Sequence, residues 1–166
     1  TYAVNDAVIQ DVINHPYGEH VANLGPYIAK ELADKVSIPS FFVDPVCTDE
    51  LEDIARYSGM KGFERQSFFH ALNQKAVARR ASKQIGKAYE ELNLIVVHLG
   101  GGVSVAAHHK GRVIDVNNVK DEGAMGMDRA GGVPVCQLID YCFSGVTHKK
   151  ARKKFGDQGG VFSYTG

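Results

Sequence analysis

Tryptophan is absent from the 166 residues, and cysteine is scarce. Cys47, Cys136 and Cys142 are odd in number and form no Cys-x-x-Cys pair, which argues against a disulfide framework or a thiolate zinc site and fits a reducing cytoplasm. An excess of charge of one sign is lacking too. The 19 basic side chains are matched by 19 acidic ones, so no overall field gathers nucleic acid or an anionic membrane surface, and any anion site has to be local. No apolar run approaches the roughly 20 residues that span a bilayer. The first residues, Thr1 to Asp6, have neither the basic start nor the apolar stretch of a signal peptide. The chain opens on Thr1 rather than Met and closes on Ser163-Tyr164-Thr165-Gly166, a β-like run stopping at a turn residue. Both ends read as cuts in a longer protein.

What is present is the apolar and charged balance of a globular domain, in a definite order of elements. Val4, Val8 and Val12 recur at helical spacing, followed by a turn at Asn14-His15-Pro16-Tyr17-Gly18. A second helix is predicted over about 19–36, with Val21, Leu24, Ile28 and Leu32 as its stripe. Residues 39–45 read as a buried strand closed by Pro45, with Asp44 at its end. Thr48 with Asp49 and Glu50 opens a predicted helix that Gly59 stops, and a longer helical pattern covers 67–91. Three β-rich segments follow, at 94–99, 103–108 and 112–116, spaced as an antiparallel meander. Pro134 then stands at the first turn of a helix bearing Val135, Leu138, Ile139 and Cys142. The order suits an α/β domain with mixed strand directions better than a Rossmann alternation, with a boundary between two lobes near Pro45.

The most informative stretch is His98-Leu99-Gly100-Gly101-Gly102-Val103-Ser104, because three glycines join two β segments. Glycine lets backbone N–H groups approach phosphate oxygens closely. The loop is either a phosphate grip or an ordinary glycine-rich hairpin. It is neither a dinucleotide fingerprint nor a P-loop, since both need a helix after the glycines. Arg129, flanked by Gly126 and by Gly131-Gly132 before a helix, is either a charge stabiliser for a moving phosphoryl group or a solvated loop arginine. His70, beside Phe68 and Phe69, is either a donor to a developing anionic oxygen or a satisfied core histidine. Asp44 is either a Mg²⁺ carboxylate or a turn residue. His108 and His109 are neighbours on one strand and point to opposite faces, which speaks against a shared metal. The basic run from Lys149 to Lys154 has no interleaved aromatics, so it reads as a solvated helix face rather than a nucleic-acid site.

Taken in order, Gly18-Glu19-His20-Val21-Ala22-Asn23-Leu24-Gly25, Phe42-Val43-Asp44-Pro45-Val46, Phe68 to Arg80, His98 to Val105 and Arg129-Ala130-Gly131-Gly132 resemble the acetokinase family of acetate and butyrate kinases. That family belongs with the sugar kinases, actin and the heat-shock chaperones among proteins of two ribonuclease-H-like lobes. The resemblance implies a partial α/β actin-like ATPase fold with a mixed sheet, residues 1–45 ending the first lobe and 46–166 beginning the second. It implies in-line phosphoryl transfer between ATP and a short carboxylate such as butyrate, giving ADP and an acyl phosphate. In that reading His98, Gly100, Gly101, Gly102 and Ser104 form a phosphate-binding hairpin, Arg129 is the transition-state arginine and His70 stabilises the phosphoryl group. Asp44 organises Mg²⁺, and His20 and Asn23 lie near the acyl site. A homo-oligomer in the full-length protein, in the cytoplasm, is expected with it.

Departures from the family pattern favour the butyrate branch. His70-Ala71-Leu72-Asn73-Gln74 stands where acetate kinases carry His-Gly-Thr-Ser-His, and Asp128-Arg129-Ala130-Gly131-Gly132 stands where they carry Thr-Arg-Ser-Gly-Asp. The family's first phosphate hairpin, an earlier arginine and a later adenosine loop have no counterpart in these residues, so the 166-residue chain alone is expected to turn over poorly. The competing expectation is a non-catalytic module of the same superfamily that keeps the hairpin for nucleotide sensing or assembly.

Overall fold

The density of β-branched and aliphatic residues between 93 and 116 produces the central element of the structure, a computed structural model that describes residues 1–14 and 21–166. Strands β3 (Asn93–Leu99), β4 (Val103–His109) and β5 (Arg112–Val116) form an antiparallel sheet in the order β3-β4-β5. Leu99 pairs with Val103, so the three glycines are the whole turn. An irregularity between Ala107 and His108 shifts the β4–β5 register. On β4 the residues Ser104, Ala106 and His108 share one face and are all buried.

Helix α3 (Ala71–Ile85) packs against this sheet. Its buried positions, Ala71, Gln74, Lys75, Ala78 and Ser82, recur at helical spacing, yet three of them are polar. The apolar core lies beside that polar seam and comprises Leu51, Ala55, Phe69, Ala71, Ala106, Val113, Val116 and Val119, with Phe68 packed against it. α3 stops at Gly86, whose φ of 76° is left-handed, and Lys87 N–H then donates to the Ser82 carbonyl.

The first part of the chain builds a smaller unit. β1 (Tyr2–Ala3) pairs antiparallel with β2 (Phe41–Phe42), and the rings of Tyr2 and Phe42 stack at 5.2 Å. Helices α1 (Asp6–Asn14) and α2 (Leu24–Lys35) pack on each other and α2 on β2. The remaining helices are α4 (Val135–Phe143), α5 (His148–Gly156) and α6 (Phe162–Thr165). Among the described residues no helix is long and apolar enough to cross a membrane.

Several expected elements are shorter or different. The strand predicted over 39–45 is only Phe41–Phe42 with Phe41 largely exposed, because the chain turns at Asp44, where φ is +43°. No α-helix forms over 48–59. The Asp49 carboxylate accepts from the Leu51 N–H at 3.1 Å and from Arg56 at 2.8 and 3.0 Å, a local bonding pattern that competes with helix and leaves one 3₁₀ turn at Asp53–Arg56. The helical pattern over 67–91 is trimmed at its start, because Ser67 Oγ donates to the Thr48 carbonyl and Phe69 N–H to that of Val46, holding 67–69 against 46–48. The closing residues 162–165 are helical rather than β-like, anchored by Val161 and Phe162 N–H groups donating to Gly126 and Met127. The turn expected at 14–18 and the start of the second helix lie outside the described residues.

The basic run does form a solvated face, that of α5, where Ala151 is the buried residue and Thr147 Oγ1 caps the start by accepting from the Lys150 N–H. The apolar stripe of α4 has no buried member.

Candidate active site

The turn between β3 and β4 is closed by Gly100 N–H donating to the Gly102 carbonyl at 3.1 Å. Against it lies the loop 126–130. A Cβ on Gly126 would fall 2.0 Å from the Gly101 carbonyl oxygen, so only glycine allows the two backbones to approach this closely. Met127 N–H donates to the Gly100 carbonyl, fixing the register between the two loops. The consequence is the position of Arg129: a Cβ on Gly102 would meet its Nη1 at 2.7 Å, which puts the guanidinium directly over the turn. Asp128 stands beside Gly101 in the same way, at 3.0 Å. The loop is held from behind by Ala130 N–H to the Phe155 carbonyl and Gly159 N–H to the Asp128 carbonyl, so α5 and the last residues position the arginine.

Two histidines complete this side. His70 immediately precedes α3, His98 is near the end of β3, and their rings stack with centroids 3.6 Å apart and planes 7° from parallel. Asn73 Nδ2 lies 2.9 Å from His98 Nδ1, and Ser104 Oγ lies 2.9 Å from His70 Nδ1. Burial, then His98 and then Arg129 lower the pKa of His70 from 6.5 to about 4. The ring is therefore neutral near pH 7 and able to donate one hydrogen bond without carrying charge.

The structure thus brings together His70, His98, Gly100, Gly101, Gly102, Ser104 and Arg129. Asp44 has a different partner. Its side chain is buried, its backbone is left-handed, and its Oδ2 makes no hydrogen bond, the nearest cation being Arg79 Nη1 at 3.5 Å. The Arg79 guanidinium in turn stands 5.6 Å from the centre of the Tyr89 ring. Among the described residues no ion pair joins Asp44 to Arg129. Asn23 precedes α2, on the smaller unit rather than on the three-stranded sheet, and His20 lies outside the described residues.

Sequence reading passed over the polar groups beneath the hairpin. Gln74, His108 and Tyr89 are buried and joined by hydrogen bonds, and beside them Lys75 Nζ lies 2.5 Å from Oε1 of the half-buried Glu50, whose Oε2 accepts from the Val113 N–H at 2.7 Å. The available signal was the helical spacing of Gln74 and Lys75 with Ala71 and Ala78. His108 does point opposite to the exposed His109, as its strand position predicts, and its pKa is lowered from 6.5 to about 4 by burial first and by Lys75 second.

Both histidines carry a pH dependence. A histidine whose pKa is lower in the folded than in the unfolded chain stabilises the fold while neutral. That contribution is complete above 6.5 and is lost as the pH falls toward 4. Denaturation midpoints at constant salt are expected to drop between about pH 7 and about pH 5. A flat midpoint across that interval would contradict the burial of these two rings.

The fold is similar to those of acetate and propionate kinases of known structure. The chain superposes on acetate kinase from Porphyromonas gingivalis with a TM-score of 0.77 at 22% identity, covering 98% of this chain and 44% of that one. Acetate kinase from Entamoeba histolytica gives 0.75 at 18%, with the same shares of the two chains, and a propionate kinase from Francisella tularensis gives 0.72 at 16%, over 98% of this chain and 45% of that one. In sequence, residues 55–135 match the acetokinase family. Over 99% of its length the chain is 52% identical to butyrate kinase 1 of Clostridium acetobutylicum and 56% identical to a probable butyrate kinase of Clostridium botulinum strain Eklund 17B. The chain is thus homologous to butyrate kinases and carries a stretch that matches the acetokinase family. It spans about half the length of these curated relatives, 47% of each.

Proposed function

We propose that the protein carrying this chain transfers a phosphoryl group between ATP and a short-chain carboxylate, butyrate or a near homologue, giving ADP and an acyl phosphate. The observation that carries the reading is the Arg129 guanidinium lying over Gly102 of the hairpin, beside the stacked His70 and His98. Backbone N–H groups of Gly101 and Gly102 are suited to hold phosphate oxygens, while that of Gly100 closes the turn. Arg129 adds planar positive charge where the migrating phosphoryl group builds negative charge, and neutral His70 donates a hydrogen bond to the same group. Catalysis of this kind rests on positioning and charge stabilisation rather than on covalent intermediates.

Asp44 fits a role toward Mg²⁺. A buried carboxylate oxygen with no hydrogen bond, held on a left-handed residue, is an unsatisfied group of the sort a cation or its water shell completes. Among the described residues no cluster of three His, Cys, Asp or Glu exists, which suits an ion held by one carboxylate and by substrate phosphates. When bound, Mg²⁺ would neutralise charge on the phosphates. His20 and Asn23 we assign to the acyl end, residues 1–45 to the first lobe and 46–166 to the second. A cytoplasmic homo-oligomer belongs to the same proposal. Its supports are three free cysteines and the largely exposed Ile95, Val97 and Leu99 on one face of β3.

The test is acyl-phosphate formation by the purified native-length protein with ATP, Mg²⁺ and butyrate, trapped with hydroxylamine as the hydroxamate. Trapped product that depends on all three components is expected. Nucleotide binding without any product from C2 to C6 carboxylates would overturn the proposal.

A further inference from the structure

Beneath the hairpin a line of buried hydrogen bonds runs from Tyr89 to His70, and each direction along it is fixed by the one before. Gln74 Nε2 lies 3.1 Å from the Ser104 carbonyl oxygen and 2.7 Å from Ser104 Oγ. A backbone carbonyl only accepts, so the amide nitrogen faces Ser104 and Oε1 faces the other way. There Gln74 Oε1 is 3.1 Å from His108 Nε2, which must therefore carry its hydrogen. His108 in its neutral form then accepts at Nδ1, and the donor is the Tyr89 hydroxyl at 2.6 Å. At the other end Ser104 Oγ already accepts from Gln74, and Ser104 is fully buried, as Gln74 is. The hydroxyl hydrogen has no water to turn to, and its remaining partner is His70 Nδ1 at 2.9 Å. His70 Nδ1 is thus an acceptor, and the ring proton sits on Nε2.

We propose that Tyr89, His108, Gln74 and Ser104 form a one-way hydrogen-bond relay that locks His70 in its Nε2–H tautomer, with Gln74 and His108 as positioning residues for that donor. The relay deepens the phosphoryl-transfer reading and rests on it for its purpose, though the tautomer itself is a property of the folded chain. His70 Nε2 makes no hydrogen bond among the described residues, so its N–H is left for a ligand. The opposite tautomer would present a lone pair to phosphate oxygens and repel them. An apolar filling of the same seam would pack equally well but leave the ring free to choose.

Gln74→Glu tests the direction. A carboxylate accepts on both oxygens, so the Ser104 hydroxyl hydrogen turns toward position 74. Ser104 Oγ then accepts from His70 Nδ1–H, which inverts the tautomer. Native-length protein labelled with ¹⁵N-histidine is examined by long-range proton–nitrogen spectra, which separate protonated from bare ring nitrogens. The unmodified protein is expected to show His70 and His108 both protonated at Nε2, and Q74E to move the His70 proton to Nδ1. Tyr89→Phe, remote from the hairpin, is expected to keep the fold and to leave His108 and His70 protonated at Nε2, because Gln74 Oε1 still accepts from the His108 N–H. In turnover, Q74E is expected to lower kcat by about 100-fold with little change in KM for ATP.

A His70 proton on Nδ1 in the unmodified protein, or an unchanged His70 tautomer in Q74E that is otherwise folded, would overturn the relay. Should Q74E not fold, the unmodified spectrum together with Y89F decides. The expected tautomers in a protein that forms no acyl phosphate would support the relay and sink the phosphoryl-transfer reading instead.

Discussion

Arg129→Ala is expected to reduce kcat for acyl-phosphate formation by about a thousand-fold or more, the range over which arginines that stabilise phosphoryl transfer act. The reason lies in placement. The guanidinium is held over Gly102 by a loop whose backbone is pinned to the hairpin at one end and to α5 and the last residues at the other. Phosphate held by the Gly101 and Gly102 backbone does not depend on this side chain, so nucleotide affinity measured by calorimetry is expected to change less than tenfold, on the order of 1 kcal/mol. Arg129→Lys is expected to recover only part of the rate, because an ammonium lacks the planar fork that spans two phosphoryl oxygens. Loss of nucleotide binding in step with loss of rate would assign Arg129 to ground-state binding, and an unaffected rate would remove it from the site.

The largest effect on stability is expected at Lys75. Its side chain is 5% exposed and lies on Glu50, whose other oxygen accepts from the Val113 N–H in β5. Lys75→Met keeps the length and apolar stem but leaves Glu50 with an uncompensated charge. Breaking a buried pair from one side costs about 3 kcal/mol. Urea denaturation is the measurement, with a fall in midpoint at unchanged slope expected. Adding Glu50→Gln to Lys75→Met is expected to return a good part of the loss, since a neutral amide no longer needs a counter-ion and can still accept from Val113. A single variant as stable as the parent would mean that water, rather than Lys75, satisfies Glu50.

How much of this was legible depended on whether the signal was local. The meander at 93–116 was readable because β-branched residues alternate and three glycines interrupt them, and the structure turns there. Pro134 was readable as a helix start for the same reason, since its ring fixes one dihedral. The expected helix over 48–59 failed because Asp49 bonds Leu51 and Arg56 instead of capping a helix, and a side chain's choice between two local partners is not written in periodicity. The strand expected over 39–45 shrank to two residues because the Asp44 backbone turns left-handed, which the residue type permits but does not dictate.

The sequence by itself determined the kinds of groups available: a glycine turn with strands on both sides, an arginine in a glycine-rich loop, and a histidine ahead of a helix. Its order of motifs also determined the resemblance to the acetokinase family. Tertiary structure alone decided which groups meet. Arg129 reaches Gly102 only because Gly126 lets two backbones touch, and His70 stacks on His98 only because α3 lies across β3. It also set the Asp44 carboxylate beside Arg79. The seam of Gln74, Lys75 and His108 was likewise a tertiary outcome. A polar side chain on a helix reads as solvent-facing until a partner is found for every donor and acceptor, and those partners are tens of residues away in the chain.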